Sequence, residues 1–166
     1  MWVCGLNSNI RVCFKPIGVV EEGLEKPEER RVVKSRFEVV SVIRVFDEFI
    51  NGLDGLEEYS HIIVVYWMHI VKEFKLRVKP WGIETYPEVG VFATRSTRRP
   101  NPIGVTVVEL VTVEKPRIRV KGLDAWTGIP ILDLKLYDYY DIVKNPRVLW
   151  WFKTSGRVGK ISGNMR

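Results

Sequence analysis

Three arginines, an asparagine and two prolines are crowded into Gly90-Val91-Phe92-Ala93-Thr94-Arg95-Ser96-Thr97-Arg98-Arg99-Pro100-Asn101-Pro102-Ile103-Gly104. Arginine presents planar, always-charged donor forks suited to phosphate or carboxylate, and the Asn101 amide both donates and accepts. Arg99 and Asn101 each precede a proline, which fixes its own φ and biases its predecessor toward extended geometry. The loop is therefore stiff, and stiffness favours accurate placement of Arg95, Arg98, Arg99 and Asn101. A basic, proline-rich loop can equally be a solvated connection, and composition alone does not separate the two.

A second group of chemically useful side chains lies in Ile131 to Tyr137. With a strand period of two, Leu132, Leu134 and Leu136 face the core, while Asp133, Lys135 and Tyr137 share the other face, successive side chains roughly 6–7 Å apart. Such a row could orient a base and accept or pass a proton. The plainer reading is an Asp-Lys pair on a solvated strand.

The elements that must position these groups read as strands. Ile17 to Val20, Arg30 to Ser35, Phe37 to Phe46, Val105 to Val113 and Arg117 to Lys121 are rich in β-branched residues or alternate apolar with polar. Ile62 to Ile70 is apolar on both parities, as a central strand covered on both faces would be, and His69 closes it. An apolar run also enters the arginine loop. Asp47 is placed to cap a short helix carrying Phe49, Leu53 and Leu56, and Asn145-Pro146 to start one through Trp150, Trp151 and Phe152. The density of aromatics there exceeds what one helix face buries, so the segment is expected to pack on the barrel or a second subunit, or to serve as a stacking platform for RNA bases. Many strands, short connections and little helix predict an all-β fold, a β-barrel of mixed or antiparallel strands with a few short helices.

At 166 residues and 46% hydrophobic content the chain supports a single domain. Its longest uncharged apolar run is too short to span a bilayer and its first residues lack a signal peptide's regions, so a soluble, cytoplasmic protein is expected. Cys4 and Cys13 have no metal or redox spacing, and are expected to be reduced. The net charge of +6 is carried wholly by residues 142–166, which hold six cations and no acid. A basic terminal helix and tail suits a polyanion, although a solubilising tail has the same composition. No Gly-x-Gly-x-x-Gly follows a strand, which argues against a Rossmann-type nucleotide site.

The loop, together with Lys15-Pro16-Ile17-Gly18-Val19-Val20, Gly55-Leu56-Glu57-Glu58-Tyr59-Ser60-His61, Met68-His69 and Leu132-Asp133-Leu134-Lys135-Leu136-Tyr137, resembles the signature of the TsaA-like β-barrel methyltransferases, the TrmO family. The resemblance implies S-adenosylmethionine as cofactor and tRNA as partner, with N6 of threonylcarbamoylated adenosine at position 37 as methyl acceptor. It places the cofactor against Arg30, Arg31 and Val32, His69 and Ile70, Arg95, Val105 and the Gly128-Ile129-Pro130-Ile131 turn. It implies a homodimer with the cofactor near the subunit interface. Bacterial members carry a further C-terminal domain, whose tRNA-binding work the basic tail is expected to share. Arg98, Arg99 and Asn101 are candidates for the acceptor side, and Asp133, Lys135 and Tyr137 for catalysis, the loop and the row converging on one pocket. The family has proline where Leu136 stands, and Gln-Pro-Gly-like residues near Arg30 to Val32. A non-enzymatic RNA-binding β-barrel, or a methyltransferase for another small amine or nucleotide, would share many of these features.

Overall fold

The computed structural model describes residues 3–4, 12–25 and 36–151. Among the described residues ten strands run in chain order: β1 (Val3–Cys4), β2 (Cys13–Phe14), β3 (Gly18–Glu22), β4 (Val40–Val45), β5 (His61–Trp67), β6 (Arg77–Val78), β7 (Val89–Gly90), β8 (Ile103–Glu114), β9 (Arg117–Lys121) and β10 (Pro130–Leu136). Six of them close a barrel in the order β10-β3-β4-β9-β8-β5, every neighbour antiparallel. Closure removes the exposed sheet edges that short strands would otherwise present. The all-β expectation holds, and the helical pieces within the elements are short 3-10 turns.

Alternation decides what lies inside. In β9 Ile118 and Val120 are buried while Arg117, Arg119 and Lys121 face out, as the sequence predicts. In β5 Ile62, Val64 and Tyr66 point inward, but Ile63, Val65 and Trp67 are only half-buried. The strand is therefore not covered on both faces within one chain: its second apolar face forms part of the outer wall. Val20, Ile43, Ile118, Val120 and Ile131 complete the interior, each such side chain contributing roughly 1.5–3 kcal/mol by leaving water. The 3-10 helix Asp47–Leu53 lies below the barrel, with buried Leu53 in the core and Phe49 packed against it. Its N-cap is Phe46 in extended geometry, not Asp47, and no side chain caps it.

Three other local expectations change. The apolar run entering the arginine loop is a strand only at Val89–Gly90, after which Val91–Ala93 turns as a 3-10 helix. Asn145 has φ 53, left-handed and not the extended geometry an N-cap requires, and the helical residues begin at Trp150. Cys13 is disulfide-bonded, and β1–β2 pairing sets Cys4, the chain's other cysteine, opposite it. The reduced state expected from spacing is thus overturned by hairpin pairing, which no cysteine motif announces. The expected strand at Arg30 to Ser35 and the tail beyond Trp151 lie outside the described residues. No helix among the described residues is long and apolar enough to cross a membrane.

Candidate active site

Strand direction gathers the loops. β5 ends at Trp67 where β8 begins at Ile103, so the segments between them sit at one rim of the barrel. The turn before β10 joins that rim, because the Tyr66 hydroxyl, inside the barrel, donates to the Asp124 carbonyl at 2.8 Å.

The arginine loop is braced from within. Thr94 donates to the Val91 carbonyl through its hydroxyl at 2.8 Å, and Ser96 N donates to Thr94 Oγ1 at 3.2 Å. Arg98 N donates to Ser96 Oγ at 3.3 Å, and Met68 N to the Pro102 carbonyl at 2.8 Å. Arg99 turns inward, donating through Nη1 to the carbonyls of Thr94 at 2.8 Å and Val91 at 3.4 Å, with its guanidinium 5.8 Å from the centre of the Phe92 ring. Expected on the substrate side, Arg99 instead holds the loop's shape. Arg95 and Arg98 are exposed, and their side chains make no hydrogen bond or ion pair among the described residues; the Asn101 side chain is likewise exposed. The loop leaves through Gly104, where a Cβ would collide with the Tyr66 ring.

Two shallow grooves flank the loop. One, of about 360 Å³, lies between Ile70, Val71, Lys72 and Glu73 on one side and Thr97 and Arg98 on the other. Ile70 and Arg98 are therefore brought together. The His69 ring is exposed and sits 5.4 Å from the Trp67 ring, tilted by 48°. The second groove, of about 490 Å³, shares Arg98 and Ser96 with the loop and runs along Lys75 to Lys79.

The Gly128 turn is partly structural. Gly128 has φ +87, an added Cβ there would meet nothing within 4 Å, and its N–H donates to the Val20 carbonyl at 2.8 Å. Ile129 and Ile131 are core residues, and their carbonyls accept from Val20 and Ile17 at 2.9 Å each. Their side chains hold the barrel, while half-buried Pro130 and exposed Gly128 remain at the rim.

The polar row runs down the outer wall. A register shift between Ile131 and Asp133 turns Ile131 inward opposite Tyr66 and then restores alternation, so Asp133 lies opposite Val65 and Lys135 opposite Ile63. Leu134 and Leu136 face inward as expected, though Leu136 at the barrel's end is exposed; Leu132 is the residue displaced by the bulge. Lys135 Nζ lies 2.7 Å from Asp133 Oδ2, and Leu134 N donates to Asp133 Oδ1 at 2.9 Å. The hydrogen bond to Asp133, reinforced by its charge, raises the Lys135 amine above its ordinary pKa. The ammonium form is thereby favoured, and Lys135 is a poor base. Tyr137 packs near His61, ring centres 6.2 Å apart.

Neither groove is lined by Asp133, Lys135 or Tyr137. Neither groove therefore joins the loop to the row among the described residues, where one common pocket was expected: β10 descends away from the rim and Tyr137 sits roughly 13 Å beyond Asp133. Val105, exposed on the outer wall, shares the Asp133 rung of the sheet through Val65. Arg30, Arg31 and Val32 lie outside the described residues. Sequence reading missed the contribution of Lys72, Glu73 and Thr97 to the first groove, whose only signal was charge beside His69-Ile70.

Residues 21–142 match the tRNA-methyltransferase O N-terminal domain family. The chain is 49% identical over 125 residues to an S-adenosyl-L-methionine-binding protein of Archaeoglobus fulgidus, covering 75% of this chain and 88% of that one. It is 34% identical over 134 residues to the tRNA (adenine(37)-N6)-methyltransferase of Escherichia coli, covering 75% of this chain and 57% of that one. A crystal structure of TrmO from Pseudomonas aeruginosa superposes with a TM-score of 0.64 at 29% identity, over 81% of this chain and 60% of that one. The chain thus spans about three-fifths of the length of this solved relative.

Proposed function

Because the chain belongs to the tRNA-methyltransferase O family, we propose that it is an S-adenosylmethionine-dependent methyltransferase acting on N6 of adenosine 37 in tRNA, with the threonylcarbamoylated base as acceptor. The observation that carries the reading is a braced rim loop holding Arg95 and Arg98 exposed, without side-chain partners among the described residues, beside Ile70. Cofactor, acceptor and nucleic-acid backbone all bring anionic groups to such a site, and arginine forks answer carboxylates and phosphates bidentately.

The residues fit the cofactor at several points. Arg95 is free to take its carboxylate, half-exposed Ile70 offers apolar surface to its adenine, and the turn at Gly128 has open space. His69, Val105 and Pro130 join this set, and Ile129 and Ile131 support the turn from the core; Arg30, Arg31 and Val32, outside the described residues, are assigned to it on the family resemblance alone. When bound, S-adenosylmethionine supplies an electrophilic methyl group, so most of the protein's work is positioning and electrostatics. Arg98 and Asn101 hold the acceptor base and its carboxylate, with Arg99 shaping their loop. The N6 lone pair is delocalised into the purine ring, and a hydrogen bond that draws it out of conjugation favours the transition state over the bound substrate. On the wall, Asp133 is the candidate proton acceptor at Oδ2, Lys135 holds that carboxylate in place, and Tyr137 offers a hydroxyl.

The proposed unit is a homodimer in which the wall of one protomer meets the rim loop of the other. Exposed Val105 and Val107, with half-buried Val65 and Ile63 opposite them, form an apolar patch on the rungs of Asp133 and Lys135, which a second copy would cover. The loop and the row would then meet across the interface. The basic residues of the tail, Lys153, Arg157, Lys160 and Arg166, would add sequence-independent affinity for tRNA.

The test is incubation of the protein with methyl-labelled S-adenosylmethionine and total tRNA, followed by nucleoside analysis. Label is expected in N6-methylated threonylcarbamoyladenosine. Label in another nucleoside would overturn the substrate assignment, and absence of both transfer and cofactor-induced thermal stabilisation would overturn the enzyme.

A further inference from the structure

The second groove meets the methyl-transfer site only at Ser96 and Arg98, and the rest of it and the aromatic cluster beyond take no part in that site. Along the groove Arg77 is tied to Glu88, through Nε to Oε2 at 3.2 Å and Nη2 to the carbonyl at 3.1 Å, and Lys79 is paired with Glu84. Lys75 and Arg98 have no side-chain partner among the described residues, and a backbone hydrogen bond from Lys75 N to the Arg98 carbonyl at 3.3 Å fixes them side by side. The groove is thus lined by two neutralised pairs and, among the described residues, by two cations without a side-chain ion pair.

Lys79 and Gly82 of that groove bracket Trp81. Its ring lies 6.0 Å from Tyr86, Tyr86 lies 5.7 Å from Trp150, and Trp150 lies 5.7 Å from Trp151, each contact edge-on. Trp151 is buried and anchors the chain of rings, whereas Trp81 and Trp150 are 42% and 56% exposed. Trp81 also has φ 53 and ψ 14, a left-handed geometry that is unfavourable for a bulky residue and persists only where the surroundings fix it. Edge-on packing holds the rings to one another while leaving much of their surface at Trp81 and Trp150 to solvent.

We propose that this surface binds unpaired nucleotides of an RNA loop next to the acceptor base, Lys75 taking a phosphate beside Arg98, which stays on the acceptor, while Trp81 and Trp150 stack bases. The inference rests on the methyl-transfer reading and extends it to the nucleotides flanking the target. A cationic groove contiguous with exposed aromatic surface matches the two parts of single-strand recognition, a backbone track and a stacking platform.

The test uses the full chain and a labelled anticodon stem-loop RNA, intact or with abasic sites replacing the loop nucleotides beside the acceptor. Trp81→Asn keeps a side chain that tolerates the left-handed backbone. It is expected to weaken binding of the intact loop about tenfold, in line with loss of one stacked base, and to leave binding of the abasic loop unchanged. Trp150→Ala is expected to do the same, and Lys75→Gln to lower the salt slope of binding by roughly 0.7. All three are expected to keep the thermal shift produced by S-adenosylmethionine, showing an intact fold. Variants that bind the intact loop like wild type, that lose equal affinity for both RNAs, or that lose binding only to anionic phospholipid vesicles, overturn the proposal. If wild type methylates tRNA in the same assays, this inference falls alone; if wild type neither binds nor methylates RNA, the functional reading falls with it.

Discussion

Gly104 lies so close to the ring of Tyr66 that a Cβ at this position would collide with it. Tyr66 cannot retreat easily, since its hydroxyl donates to the Asp124 carbonyl at 2.8 Å and lies 3.2 Å from Thr106 Oγ1. The exit of the arginine loop is thereby fastened to the inside of the barrel. Gly104→Ala is expected to destabilise the protein by about 1–3 kcal/mol, the usual result of overpacking a filled core. Urea unfolding measures it, and an unchanged midpoint would show that the ring yields freely.

Arg99 shapes the loop from beneath while Arg95 and Arg98 stand outside. Arg99→Ala is expected to lower kcat/KM for tRNA about tenfold, a loss of roughly 1.4 kcal/mol in transition-state binding, while the melting temperature changes little. Wild-type turnover in this variant would mean that the other loop hydrogen bonds suffice.

Asp133 and Lys135 act as a pair at 2.7 Å. Asp133→Asn is expected to cut kcat by about 100-fold if the carboxylate takes the proton, and KM for S-adenosylmethionine by far less. Lys135 has its pKa raised by Asp133, so the ammonium's stabilising contribution is complete below the ordinary lysine pKa and is lost as pH rises through the higher folded value. Lys135→Met should therefore differ from wild type in stability at neutral pH and converge with it in strong alkali. A variant whose gap persisted there would owe it to packing.

Val107 lies in the middle of the exposed wall, opposite Ile63 and on the rung of Lys135. Val107→Glu is expected to convert a dimer to a monomer in light scattering, with loss of methylation and retention of the fold. Mixing inactive Arg95→Ala and Asp133→Asn proteins is expected to restore part of the activity if each site draws on two protomers. Activity that stays absent from a confirmed mixed dimer would place both groups in one chain.

On another part of the wall, Arg117 grips Glu21 with Nε to Oε2 at 2.5 Å and Nη2 to Oε1 at 3.0 Å. The hydrogen bond from Arg117 lowers the Glu21 pKa below its ordinary value of 4.5. The stability this contributes is present above that ordinary value and lost as pH falls through the lower folded one. Glu21→Gln should melt slightly below wild type at neutral pH, and the difference should vanish in acid. A gap independent of pH would assign the effect to something other than charge.

The strands were largely legible because a barrel wall imposes period two, and Arg117 to Lys121 or Leu134 to Leu136 display it without interference. The bulge at Leu132 was not, because it depends on how β10 registers against Tyr66 and Val65 rather than on any local residue preference. Asn145-Pro146 misled for a related reason: the pair has helix-start chemistry, but the backbone there turns left-handed and leaves the helix to begin at Trp150.

By itself the sequence determined the all-β class, the stiffness of the arginine loop and the outward face shared by Asp133 and Lys135, since local chemistry and strand period govern all three. Tertiary structure alone decided that Arg99 points inward, that Ile129 and Ile131 belong to the core, and that the polar row descends from the rim instead of meeting the loop. The physical reason is that side-chain direction follows from a residue's neighbours in the chain, whereas the meeting of two segments follows from strand order and closure, which depend on every strand of the barrel together.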